Sequence, residues 1–360
     1  MLEDVPPRTV GPYEVLSVIG RGGIGTVYRA RHLDSGEMVA VKLRGPPPAC
    51  DPTAARRLAR EFEALQGLSH PHVVRVLAAG VQEGYSYLAM ELVEGLDLRS
   101  YLSPLVEDLG AANPVEASTP AFEAWSDEPE TVSLMAPEEG AGGADAIRAF
   151  AALMDEPETD PGSGARDASG EPSRPEAAVA DARPLGPALV ERLNRPARVA
   201  RLRDALLQVC AALEYVHGRG LVHRDLKPSN IMVDDARRVR LMDFGLVKLE
   251  TDGPHLTQHG RVVGTYRYMA PEQARGEPID LRADLYSLGV IVFELLTGRP
   301  PFTARRPADL WRDIVSRPPP GVASLNPGAD ARLSRAAERL LHKDPRERVQ
   351  TAAAVAAAIH

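Results

Sequence analysis

The chain has 360 residues, with 42 Lys and Arg against 50 Asp and Glu for a formal charge of −8, and 44% of its residues are hydrophobic. That apolar fraction can fill one large core or two ordinary ones, and the acidic balance argues against a chain built to coat nucleic acid. Two cysteines, Cys50 and Cys210, are too few for a disulfide framework, and no CxxC or Cys/His cluster suggests zinc. With neither a basic-then-apolar leader nor a run of about 18 apolar residues, the expectation is a cytoplasmic, soluble protein without a membrane segment.

Three short β-branched runs open the chain, Tyr13 to Ile19, Thr26 to Arg31 and Met38 to Leu43, separated by glycine-bearing turns. They predict an antiparallel meander. Asp51-Pro52 supplies an N-cap and a first-turn proline, and Leu58, Phe62 and Leu65 form one apolar stripe, which predicts a helix after the third strand. Val73 to Leu77 and Tyr85 to Leu92 read as two further strands. Much later, Val199, Leu202, Leu206, Val209, Leu213 and Val216 repeat every three or four residues and stop near Gly218. A buried helix is predicted over about 283–296 and a last one over 350–359. The layout is a small sheet-rich lobe followed by a larger helical one.

Between Pro104 and Pro196 the composition changes: 12 prolines, 19 acidic residues and 6 arginines give that stretch a charge of −13 and leave +5 for the rest. Few β-branched or aromatic residues and no sustained periodicity predict a disordered insertion. Two short apolar islands, Ala121 to Trp125 and Ala146 to Met154, interrupt it. A second compositional feature is the near absence of lysine. Lys42, Lys227, Lys248 and Lys343 are the four present, against 38 arginines. Surface cations interchange freely, so the scarcity reads first as a composition bias; the remaining lysines are inspected because a planar guanidinium cannot replace a compact point charge where one is needed.

Gly20-Arg21-Gly22-Gly23-Ile24-Gly25 lies between two predicted strands, where glycines let backbone amides approach phosphate oxygens. A strand follows rather than a helix, unlike a dinucleotide fingerprint. Ala40-Val41-Lys42 comes fifteen residues after Val27, on the strand that would flank this loop. The most specific signal is His223-Arg224-Asp225-Leu226-Lys227-Pro228-Ser229-Asn230, with Asp243-Phe244-Gly245 and Ala270-Pro271-Glu272 following in order.

On these motifs the sequence resembles the bacterial eukaryotic-like (Hanks-type) serine/threonine protein kinases. The resemblance covers about 13–103 and 197–360 and implies an α+β, bilobal protein kinase fold. It divides the chain into an N-terminal extension (1–12), an N-lobe (13–92) with an antiparallel five-stranded sheet and one main helix, and a mainly helical C-lobe (93–360) interrupted by the 104–196 insertion. It further implies ATP and Mg²⁺ as cofactors, with Mn²⁺ as a substitute, and protein substrates with Ser/Thr acceptors, without nucleic-acid partners. The alternative kept beside it is a pseudokinase or nucleotide-binding scaffold, which would need a missing catalytic residue.

The residue roles that the resemblance implies agree with what a loose, highly charged phosphoryl transition state needs, namely positioning and neutralisation. By resemblance, Gly20, Gly22 and Gly25 cover the phosphates and Lys42 holds the α and β phosphates. Glu61 orients that lysine; Glu63 competes for the role but would point away from the apolar face. Asp225 takes or orients the acceptor's proton, and Lys227 steadies the γ-phosphate. Asn230 and Asp243 supply hard oxygen donors for Mg²⁺. The adenine would lie between Val27 and Ala40 above and Met232 below, bonded to backbone from Glu91 to Val93, with Met90 behind it. Phe244, His223 and Leu65 resemble the apolar column joining the lobes, so His223 is read as structural. Asp284 holds the catalytic-loop backbone, and Glu272 and Arg348 form a buried ion pair. Arg224 is the partner of an activation-segment phosphate, for which Thr257 is the first acceptor and Thr251 the second, while Thr265 belongs to the acceptor platform.

Overall fold

Alternation along β4 (Met38–Arg44) decides which face of the N-terminal sheet meets solvent-excluded core and which meets the cleft. Val39, Val41 and Leu43 join Val10, Tyr13, Tyr28, Ala30, Tyr87 and Ala89 in one apolar cluster. Ala40 faces the other way, with Val74, Leu88 and Met90, and Lys42 shares its parity. The computed structural model describes residues 7–22, 25–44, 62–63, 65–82, 84–103, 184–244, 266–304 and 306–360. Among them the sheet has β1 (Thr9–Val10), β2 (Tyr13–Gly22), β3 (Gly25–His32), β4, β5 (Val76–Gln82) and β6 (Tyr85–Glu91), in the order β1-β2-β3-β4-β6-β5 with every pairing antiparallel. The five expected strands are present. The sixth is a two-residue edge contributed by the segment before Tyr13.

One strand begins later than its apolar run suggested. Val73 and Val74 are extended, but Val74 N donates to Leu241 O at 2.9 Å and Leu241 N to His72 O at 2.9 Å, so this run is spent on the second lobe and β5 starts at Val76. The helix predicted after β4 falls largely outside the described residues; 62, 63, 65 and 66 are helical, and Leu65 is buried in the main core.

The second lobe is built around α5 (Leu281–Thr297), which is buried on nearly every side, as a helix apolar all round must be. Asp280 caps its first turn by accepting from Arg282 N at 2.9 Å, and Gly298, at φ 71°, closes its end in the left-handed conformation that glycine adopts without strain. Against it pack α3 (Pro196–His217), whose buried face carries Leu202, Leu206, Val209, Leu213 and Val216, and α8 (Ala331–Leu340). The remaining helices are α1 (Leu98–Tyr101), α2 (Pro187–Leu193), α4 (Pro271–Ala274), α6 (Pro307–Ser316), α7 (Val322–Leu325) and α9 (Ala352–Ile359). A small sheet, β7 (Gly95–Asp97), β8 (Ile231–Asp234) and β9 (Val239–Leu241), runs under the lobe junction.

The boundary of the acidic insertion needs a correction at its C-terminal end. Residues 104–183 lie outside the described residues, and with them the expectation of disorder. Residues 187–193, however, form α2 rather than loop: Leu193 is 1% exposed and Leu185 N donates to Leu325 O at 3.1 Å. Pro187 sits at the first helical position, where proline is tolerated, so the high proline content that argued for disorder serves here as a helix start.

Candidate active site

A cleft of about 490 Å³ opens between the lobes, walled by Ile19, Gly20, Gly25, Val27, Ala40 and Lys42 from the first sheet, Met90 to Gly95 from the connection, and Asp225, Lys227, Asn230, Met232 and Asp243 from below. Thus residues far apart in sequence share one cavity. Gly22 pairs with Gly25 in the β2–β3 hairpin. Val74, Ser229 and Met242 line the cleft too, and nothing in their local sequence marks them apart from core residues. Gly95, at φ 157°, has no room for a side chain: a Cβ there would meet Val233 O at 2.2 Å.

The charged groups are arranged as two opposed pairs. Lys42 Nζ lies 2.9 Å from Asp243 Oδ1, and Lys227 Nζ lies 3.8 Å from Asp225 Oδ2, each side chain about one-fifth to one-quarter exposed. Asn230 is buried, and its amide nitrogen donates to Asp225 O at 2.7 Å and to Asp225 Oδ2 at 3.2 Å, which leaves its oxygen as an acceptor. Asp243 and Asn230 are therefore hard oxygen donors beside two ammonium groups. Among the described residues no group of three or more His, Cys, Asp or Glu could hold a metal. Such a sparse donor set suits an ion that keeps water and takes further oxygens from a phosphate, as Mg²⁺ does.

Two of the three non-glycine residues with positive φ among the described residues lie at this site. Arg224 has φ 66° and Asp243 φ 57°, a left-handed conformation that costs a non-glycine residue roughly 1–2 kcal/mol. Both are held by hydrogen bonds on neighbouring atoms. The fully buried Asp284 carboxylate accepts from His223 N, Arg224 N and His217 Nε2, each at 2.8 Å, and Gln273 Nε2 donates to Arg224 O at 3.2 Å. At Asp243, the preceding residue Met242 donates its N–H to Asn230 O at 3.0 Å while its carbonyl meets His223 Nε2 at 3.0 Å. Burial pushes the His223 imidazole below its ordinary pKa, against the upward pull of Asp284, Asp225 and Asp243. A neutral ring fits its contacts, since Nδ1 accepts from Asp225 N at 3.3 Å and Nε2 donates to Met242 O. With the Phe244 ring packed against it at a centroid distance of 4.7 Å, His223 braces the loop through both ring nitrogens.

His217, which sequence reasoning passed over, belongs to this brace through Asp284; its signal was only a histidine in the last turn of a helix. Further out, Arg348 Nη1 and Nη2 each donate to Glu272 at 2.6 Å, with side-chain exposures of 0% and 4%. Arg348 also donates to the carbonyls of His342, Arg282 and Lys343. Lys343, a third of the rare lysines, donates to Asp313 O at 3.0 Å and Ile314 O near the end of α6, with its ammonium 4.2 Å from the Phe302 ring centroid. Glu63 is exposed. Glu61 itself, Thr251, Thr257, Thr265 and residues 23–24 lie outside the described residues. Among the described residues no helix is long and apolar enough to cross a membrane.

Comparison with known proteins adds an independent line. The family model described as protein tyrosine and serine/threonine kinase matches residues 13–356. Serine/threonine-protein kinase pkn3 of Myxococcus xanthus is 31% identical over 354 residues, covering 95% of this chain and 48% of its own length. Serine/threonine-protein kinase PknB of Mycobacterium leprae is 28% identical over 352 residues, covering 97% of this chain and 42% of its own. The crystal structure of the Mycobacterium tuberculosis PknI kinase domain superposes with a TM-score of 0.53 at 23% identity, over 98% of this chain and 96% of that one. That likeness supports the bilobal fold. The chain spans about half the length, or less, of these curated relatives.

Proposed function

Since the chain belongs to the protein tyrosine and serine/threonine kinase family, we propose that it transfers the γ-phosphoryl group of ATP to serine and threonine hydroxyls of proteins. The observation that carries this reading is the convergence of Lys42, Asp225, Lys227, Asn230 and Asp243 on one cleft. A pseudokinase would lack one of these groups, and all are present.

In this reading the adenine enters between Val27, Ala40 and Met232 and bonds to backbone between Glu91 and Val93, with Met90 closing the back. Gly20, Gly22 and Gly25 lend their amides to the phosphates. Lys42 exchanges its contact with Asp243 for the α and β phosphates and is held there by Glu61. Mg²⁺, when bound, neutralises charge on the phosphate oxygens; Asp243 and Asn230 would hold it, and Mn²⁺ has the same donor preference. Asp225 orients the acceptor hydroxyl and receives its proton, while Lys227 faces the oxygen charge that develops on transfer. Asp284 keeps Asp225 in place by bonding the backbone of the two residues before it. Lysine at 227 with Thr265 in the acceptor platform favours serine and threonine over tyrosine.

The N-lobe then spans 13–92 and the C-lobe 93–360, with the acidic insertion starting at 104. Arg224 would pair with a phosphate on the activation segment, placed by autophosphorylation at Thr257. The site of action is the cytoplasm, on protein rather than nucleic acid. The test is purified protein with ATP, Mg²⁺ and casein, beside an Asp225→Asn control, with phosphosites mapped by mass spectrometry. Phosphate on casein and on Thr257 that disappears in the control supports the reading. No transfer by the wild type, or undiminished transfer by the control, overturns it.

A further inference from the structure

The short helix α1 does two things that its four residues alone would not suggest. On one side Arg99 Nη2 donates to the Tyr268 hydroxyl at 2.6 Å and lies 2.9 Å from Glu294 Oε1. The Tyr268 hydroxyl in turn donates to Glu294 Oε2 at 2.6 Å, which closes a three-membered network, and Ser287 Oγ holds the Tyr268 carbonyl at 2.7 Å. The Glu294 side chain is 2% exposed and that of Arg99 15%, so the contacts act in a setting where a lost partner is not replaced by water. On the other side the residue that ends α1, Leu102, gives its carbonyl to Arg198 Nε at 2.8 Å. Arg198 is fully buried and spends its other nitrogens on Leu193 O at 3.0 Å and Leu295 O at 2.8 Å. One guanidinium thus clasps the carbonyl ends of α1, α2 and α5, where the helix dipoles favour a cation.

Tyr268 belongs to a segment that abuts the catalytic loop. It lies in the turn Tyr266–Tyr268, directly before α4, and Gln273 of α4 donates to Arg224 O, one residue before Asp225. We propose that Arg99 is a positioning residue for the protein acceptor, fixing Tyr268 and the segment 266–274 against α5 from the very helix at which the chain departs into the acidic insertion. This rests on the kinase reading above and names what that reading leaves open, the group that holds the acceptor side of the site. Arg99 is not part of the cleft wall, so its effect falls on acceptor binding and not on the nucleotide.

The experiment uses the full chain with Arg99→Gln, Arg99→Lys and Tyr268→Phe, the last of which keeps the Arg99–Glu294 pair and so guards against simple unfolding. Casein is varied at saturating ATP and Mg²⁺, then ATP at saturating casein. Losing one or two hydrogen bonds predicts a rise in KM for casein of about fivefold or more in Arg99→Gln and Tyr268→Phe, with KM for ATP within about twofold and Arg99→Lys in between. Equal changes in both constants, or none, overturn the proposal. Hydrogen exchange provides a readout that does not need turnover: amides of 266–274 exchange faster in Arg99→Gln and Tyr268→Phe than in the wild type, and unchanged protection overturns the inference. Absence of transfer by the wild type would count against the kinase reading, and the exchange result would still decide this one.

Discussion

Replacing Asp284 by asparagine changes one atom and tests whether the brace under the catalytic loop sustains activity. The carboxylate accepts three N–H donors at 2.8 Å, Arg224 N on Oδ1 and His223 N with His217 Nε2 on Oδ2. An amide can keep its oxygen at Oδ2 and preserve two of them, but its NH₂ then faces Arg224 N. One bond to a charged acceptor is lost and two donors oppose each other, at a cost of about 2–4 kcal/mol. Arg224, at φ 66°, loses what offset its strain, and the loop relaxes toward an ordinary conformation, taking Asp225 with it. If about 2 kcal/mol of that appears in the transition state, kcat falls roughly 30-fold, at about 1.4 kcal/mol per factor of ten. KM for ATP should change by less than about threefold, because the adenine walls do not rest on Asp284. Steady-state transfer to casein and a urea titration measure both quantities. A variant with kcat within about twofold of the wild type would refute the argument that this carboxylate holds the loop.

Three other outcomes follow from the same structure. Arg348→Met strands the Glu272 carboxylate in the core and should cost about 3–5 kcal/mol in urea denaturation, whereas the apolar pair Glu272→Leu/Arg348→Met should recover only the part due to that carboxylate, since the carbonyls of His342, Arg282 and Lys343 lose their donor in both; a single variant costing under about 1 kcal/mol speaks against a buried pair. Deleting 108–182, which spares α2, should alter substrate choice or the salt dependence of transfer, because the 104–196 stretch carries −13 against a body of +5; unchanged activity and salt response would make it a passive insertion. His223 has a folded pKa below its ordinary 6.5, so the unfolded chain takes up a proton there first and stability is lost as pH falls from about 6.5 toward the folded value. The urea midpoint of His223→Phe, which keeps a ring against Phe244, should fall less steeply over that window, and parallel slopes would exclude His223 as the cause.

The family signature was legible in the sequence because its residues are grouped by type and spacing within short segments. Asp225, Lys227 and Asn230 lie inside one loop, so local order alone groups them, and the 2.0 and 3.6 periodicities of β4 and α3 reveal which faces are buried. What lies between segments was decided by the tertiary structure. The 2.9 Å approach of Lys42 to Asp243 joins two residues that no periodicity relates, and Asp284, tied to the loop in the sequence by resemblance alone, meets the backbone of Arg224 because α5 runs beneath it. Val73 and Val74 look like the start of a strand, yet their backbone groups pair with Leu241, since hydrogen-bonding capacity carries no address in the sequence. The same holds for α2: a proline-rich composition predicts the cost of ordering a chain but not the carbonyl-lined hollow at Leu102, Leu193 and Leu295 that Arg198 fills. Composition and spacing report what a segment can do alone, and partners 60 to 200 residues away are chosen by the packing of the whole core.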